Sequence, residues 1–123
     1  MNNAERHLVK AREHLGFARY ALAGDYTEEA GRGAYMAAYH AALAFIAART
    51  GGAPKTHSGA RTEFARLARD EPRVAREQVS LLAWSYELKN IADYEQEATI
   101  SQAEAERAIA EAARLVETIA ALV

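Results

Sequence analysis

The chain has 123 residues, enough for a single hydrophobic core. Half of them are hydrophobic and 26% are charged, and fifteen Lys+Arg against seventeen Asp+Glu leave a net charge of -2, so bulk electrostatics do not drive binding to nucleic acid. Two prolines and seven glycines exclude collagen-like, low-complexity and turn-rich all-β architectures, and the absence of cysteine excludes a disulfide framework, a zinc–thiolate site and a thiol nucleophile.

The start, Met1-Asn2-Asn3-Ala4-Glu5-Arg6, is polar with no apolar run behind it. It does not have the form of a secretory signal, and a cytoplasmic location is expected. Thirty residues are alanine, the best helix former. Ala4, Leu8, Ala11, Leu15, Ala18 and Leu22 step by four and three, one stripe along a first helix. Gly24 and Asp25 break it, and Asp25 with Glu28 three residues on predicts an N-cap and capping box. A second helix is predicted over about Thr27 to Arg49. Alanine covers much of its circumference, so it should be the central, most buried element, approached closely by its neighbours. Its Ala34–Ala48 run is shorter than the ~20 residues of a membrane span and is interrupted by His40.

Gly51-Gly52 and Pro54 end that helix. Thr56 or Ser58 caps a short third helix ending near Arg69. Asp70-Glu71-Pro72 predicts a stop and a new start, with Pro72 in the first turn of a fourth helix over about Arg73 to Tyr94. Thr99 or Ser101 caps a fifth, and Ser101 with Glu104 forms a capping box. Its stripe is Ala105, Ala108, Ile109, Ala112, Leu115, Val116, Ile119, Leu122 and Val123. No segment alternates with period two. The expected fold is all-α: one domain over residues 1–123, an antiparallel up-and-down four-helix bundle with one additional short helix.

Most catalytic signatures are missing. No histidine has a glutamate three residues before it, as a di-iron bundle requires, and His-Glu-x-x-His is absent. Gly31-Arg32-Gly33 lacks the third glycine and the strand of a dinucleotide site, and no phosphate loop or nucleophile elbow occurs. His7 and His14 share one helix face at a spacing unsuited to a metal pair, and are expected at the surface. His40 is expected in the core with its hydrogen bond satisfied. No metal and no cofactor are expected. Residues 1–62 hold eight basic and five acidic residues, and residues 63–123 hold seven and twelve. That asymmetry reads either as a mixed solvated surface or as a basic face on the N-terminal half.

The fourth helix carries the clearest pattern. At about 100° per residue, Leu81, Trp84, Leu88 and Ile91 fall within about 80° of one another. Tyr86, Lys89, Asn90 and Asp93 fall opposite, with Leu82 among them. Either this is a solvent face on which Lys89 and Asp93 form an ordinary i, i+4 pair, or it is an interface or polar groove.

Three stretches together resemble the HEPN family (higher eukaryotes and prokaryotes nucleotide-binding domain), in its small stand-alone prokaryotic branch. They are Gly33-Ala34-Tyr35-Met36-Ala37-Ala38-Tyr39-His40-Ala41-Ala42-Leu43-Ala44, Pro54-Lys55-Thr56-His57-Ser58-Gly59 and Tyr86-Glu87-Leu88-Lys89-Asn90-Ile91-Ala92-Asp93-Tyr94. The likeness runs over about residues 5 to 122. It implies a helical bundle that dimerises through the helices bearing the third stretch. It also implies pairing with a minimal nucleotidyltransferase in a toxin–antitoxin-type system, and binding of nucleotide or RNA. Active members are metal-independent ribonucleases whose motif is an arginine, four to six residues, then a histidine. Here Lys89 stands in the arginine's place and Tyr94 in the histidine's, and no histidine has an arginine at the required offset before it. Tyrosine, titrating near ~10, is a poor base at neutral pH, and lysine lacks arginine's bidentate fork. The resemblance therefore carries over Tyr86, Lys89, Asn90, Asp93 and Tyr94 as a polar cleft or dimer interface, and not the ribonuclease activity.

The loop residues Lys55, Thr56 and His57 have two readings: a substitute catalytic pair of His57 with Lys55, or a cap that pins the loop to the bundle. Tyr94 has the further reading of a site modified by the partner transferase. Three functions follow from the sequence. One is a dimeric binding module partnered by a nucleotidyltransferase. Another is a ribonuclease toxin using Lys89, Tyr94 and His57. The third is a structural bundle.

Overall fold

A computed structural model describes residues 1–94 and 99–123. Five helices follow in chain order: α1 (Asn3–Ala23), α2 (Thr27–Thr50), α3 (His57–Ala68), α4 (Arg76–Tyr94) and α5 (Gln102–Ala120). There is no strand among the described residues. None of these helices is long and apolar enough to cross a membrane.

The alanine-rich α2 is the axis of the bundle and packs against all four other helices. It buries Ala34, Ala37, Ala38, Ala41, Ala42 and Ala44 together with Tyr35, Phe45 and Ile46. The small side chains permit the close approach expected of them. At Gly33 a Cβ would sit 2.9 Å from the Ala18 Cβ of α1, so only glycine lets the two helices meet there. α5 buries its expected stripe from Ala105 to Ile119, but the helix ends at Ala120 and Val123 is exposed.

The caps divide into expected and unexpected. Ser101 accepts from Glu104 N and Glu104 returns a bond to Ser101 N, the predicted capping box. Thr56 accepts from Gly59 N at 2.9 Å and caps α3. Asp25 does not cap α2. It takes a left-handed conformation, φ 64°, and its N–H donates to Leu22 O at 3.0 Å, so it closes α1 instead. Short Asp side chains tolerate this region, and the position next to Gly24 is where the chain must reverse. Tyr26 takes the N-cap of α2 with no side-chain bond, and Glu28 and Glu29 face its N-terminal dipole.

The start of α4 also differs from expectation. Pro72 and Arg73 lie in a turn closed by Val74 N donating to Glu71 O, and the helix begins at Arg76. Burial of Val74 pulls the chain inward and delays the helix. On α4 the core face is Leu81, Leu82, Ser85 and Leu88, with Trp84 and Ile91 only half-buried. Leu82 is therefore core, and the Tyr86–Lys89–Asp93 stripe flanks the core face rather than opposing it. That places the stripe where α4 meets α2.

Candidate functional site

Three helices bring rings and cations together along that seam. Tyr35 and Tyr39 are one turn apart on α2, so both project to one side. The Thr56 cap starts α3 at His57 and sets its ring against α2. Arg61 lies one turn further on, and Tyr86 and Lys89 come from α4. His57 Nδ1 and the Tyr35 hydroxyl are hydrogen-bonded at 2.5 Å, and the His57 ring stacks on Tyr39 with centroids 4.4 Å apart. Tyr86 lies 5.3 Å from Tyr35 and 5.9 Å from His57. The Arg61 guanidinium covers the Tyr86 ring at 4.5 Å, and Lys89 Nζ is 5.9 Å from it. Arg61 Nη1 is buried with no hydrogen-bond partner among the described residues. Such a donor is expensive to leave unmade.

A second layer is ionic. Asp93 bridges Lys89 Nζ at 2.7 Å and Arg32 Nε at 2.5 Å. Arg32 also donates to the Ala92 carbonyl at 2.8 Å and pairs with Glu29. The Lys89 and Arg32 bonds hold the Asp93 carboxyl below its ordinary pKa, and the same bonds raise both bases, so all three stay ionised. Burial is the main cause that lowers His57, helped by the charges of Lys89 and Arg61. Burial likewise raises the Tyr35 hydroxyl well above its usual value. At neutral pH the site thus holds a neutral imidazole and, in Tyr35 and Tyr39, neutral phenols beside two cations. Arg61 and Lys89 can take the negative charge of a phosphate.

The model of the HEPN domain family matches residues 4–122, nearly the whole chain. The chain belongs to the HEPN family. No curated protein matches it. Membership agrees with the all-helical bundle and places the chain among nucleotide- and RNA-related modules.

Within this HEPN bundle, Tyr86, Lys89 and Asp93 form one connected group, with Asn90 half-buried on the same turn. Tyr94 is 76% exposed, its ring 5.9 Å from Lys89 Nζ. His57 joins the group and Thr56 caps its helix. Lys55 stays exposed in the loop, and the cations acting on His57 are Lys89 and Arg61. His7 and His14 are half-buried at the surface, both stacked against His40. His40 is half-buried and bonded to His7, Nδ1 to Nδ1, at 3.1 Å. No group of three His, Cys, Asp or Glu suited to a metal ion occurs among the described residues.

Sequence reasoning missed Arg61, Arg32 and Tyr35. Arg61 had a usable signal, since it follows His57 by four residues and must share its face. Arg32 is 61 residues from Asp93, and no local spacing links them.

Proposed function

We propose that this HEPN chain is a binding module that holds nucleotide or RNA in the cleft between α2, α3 and α4. It acts as a homodimer and as the partner of a minimal nucleotidyltransferase in a toxin–antitoxin-type pair. The observation that carries the ligand reading is the pair of cations, Arg61 and Lys89, that meet at one tyrosine ring, Tyr86. A ligand phosphate would accept from these two cations, and charge-assisted bonds are about twice as strong as neutral ones. The pairing and the dimer rest on the family and on the position of the polar stripe near the end of α4.

Fluorescence titration with a labelled oligouridine tests the ligand. Arg61→Ala and Lys89→Ala should each weaken binding by roughly ten- to a hundredfold, as expected for lost bonds between charged groups. Binding that survives both changes contradicts the cleft. Purification of the tagged protein from its own cells, followed by mass spectrometry, tests the pairing. A stoichiometric nucleotidyltransferase supports it, and recovery of this chain alone removes it.

A second reading, a ribonuclease with a rearranged site, is favoured by one fact: a neutral imidazole, His57, lies beside two cations. Histidine is the side chain suited to removing the ribose 2′-OH proton near neutral pH. RNA cleavage abolished by His57→Ala and reduced by Lys89→Ala or Tyr94→Phe would establish it. Cleavage indifferent to all three would come from elsewhere.

A further inference from the structure

Five of the seven large hydrophobic side chains left exposed among the described residues lie near the start of the chain: Met1, Val9, Phe17, Tyr20 and Tyr26. Tyr20 is 81% exposed. At about 100° per residue, Val9, Gly16 and Tyr20 fall within about 40° of one another on α1, opposite its buried Ala11, Leu15 and Ala18. Gly16 is the odd member of this face. Glycine inside a helix is destabilising relative to alanine, and a packing reason is expected where it occurs. Gly33 has such a reason, because Ala18 lies against it. A Cβ at Gly16 would meet nothing within 4 Å, so no other part of the chain uses that space.

α5 lies beside α1 and runs the opposite way. Arg12 bonds Glu117 at 2.7 Å, and Val123 shares a cavity with Asn2, Asn3 and Ala4. On α5 the exposed residues Glu106, Ala110 and Glu117 also fall within about 40° of one another. α1 thus offers large side chains where α5 offers small ones, with Ala103 and Ala110 both exposed. The uneven charge of the two halves of the chain reappears here. α1 holds four basic and two acidic residues, and α5 holds two basic and four acidic. The ion pairs of these helices are Lys10–Glu13, Arg12–Glu117 and Arg107–Glu111. Arg19 and Glu106, both exposed, have no ion-pair partner among the described residues.

A face that is bulky and basic along one helix and small and acidic along the next is complementary to itself. A half-turn about an axis along the bundle lays α1 of one copy on α5 of a second, and the reverse, so every contact occurs twice. With Arg12 and Glu117 at one level, Tyr20 comes over the partner's Ala110, Gly16 faces the partner's Ala113, and Arg19 reaches toward the partner's Glu106. Two helices about 30 Å long and about 10 Å across offer roughly 600 Å² per copy, the lower end of what specific interfaces bury.

We infer that the α1–α5 face is a contact between two copies of this chain, centred on Gly16 and Tyr20 and bridged by Arg19–Glu106 pairs. It is distinct from the α2–α3–α4 cleft and from the α4 stripe, and it does not depend on any ligand held there.

The test is particle mass by light scattering on the purified chain at about 0.1 mM, a concentration at which a contact of micromolar Kd is filled. Arg19→Glu, Glu106→Arg and Tyr20→Asp should each halve the mass, from dimer to monomer, or from tetramer to dimer where copies also join through α4. Arg19→Glu together with Glu106→Arg should restore it. All three positions are exposed, and thermal melts confirm that the variants fold. A wild-type monomer overturns the contact. So does a wild-type assembly whose mass survives all three single variants, which assigns that assembly to another face. A double variant with the same mass as the single charge variants overturns the Arg19–Glu106 pairing and with it the arrangement of the two copies.

Discussion

At Arg61 charge and shape act together: a flat guanidinium lies over the Tyr86 ring while one of its nitrogens is buried without a partner among the described residues. Arg61→Lys would keep the charge and lose the planar stack, since lysine is a point charge on a flexible stem. Its oligouridine affinity should fall between those of wild type and Arg61→Ala in the same titration. Asp93 makes a different prediction. Asp93→Asn removes the centre of the Arg32–Asp93–Lys89 bridge, whose three side chains are 21–32% exposed. Stability should fall by about 1 kcal/mol in urea denaturation, while RNA binds more tightly because a negative charge has left the cleft. Of this group, the Lys89–Asp93 pair was legible in the i, i+4 spacing of α4. Arg32 was not, because its partner comes from a helix distant in sequence and only the packing of α2 on α4 joins them.

The helix ends and the α1–α2 seam carry the predictions at the next scale. Ser101→Ala should cost about 1 kcal/mol by denaturant melt, the usual loss on removing an N-cap. Ser101 could be read from the sequence because its capping box is local. Asp25 offered the same pattern and was used otherwise, because reversal of the chain after α1 needed a residue at positive φ there. At the seam, burial lowers His7 and His14 and, with the charges of His7, His14 and Lys10 added, pushes His40 down to about 4. The folded state therefore resists protons that the unfolded chain takes up near pH 6.5. Stability should be fully present above pH 6.5 and be lost as the pH falls toward 4. For His40 the loss should be about 1–2 kcal/mol, allowing for solvent around a half-buried ring. Thermal melts of wild type and His40→Gln across that window check this: the variant should show the flatter dependence. The stacking of the three histidines was not legible, since His7 and His14 are seven apart and only α2 brings His40 between them.

The whole bundle depends on how closely α2 can be approached. Gly33→Leu should destabilise it by about 1–3 kcal/mol, the usual cost of overpacking, because the new Cβ meets Ala18 at 2.9 Å. A shift of the urea midpoint measures it. The all-helical fold and the central place of α2 were legible because alanine content and a 3.6-residue period act over long segments. The cluster of rings and cations between α2, α3 and α4 was legible only on its α4 side, as the polar stripe of Tyr86, Lys89 and Asp93. Its other side, Tyr39 on α2 with His57 and Arg61 on α3 over the buried Tyr35, is assembled by tertiary packing. The most direct measurement of the cleft is a titration of oligouridine into isotope-labelled protein, followed by backbone amide shifts in NMR. Nucleotide binding at the cleft predicts shifts centred on Tyr35–Tyr39, His57–Arg61 and Tyr86–Asp93. Absence of any shift, or shifts confined to α5, would contradict it.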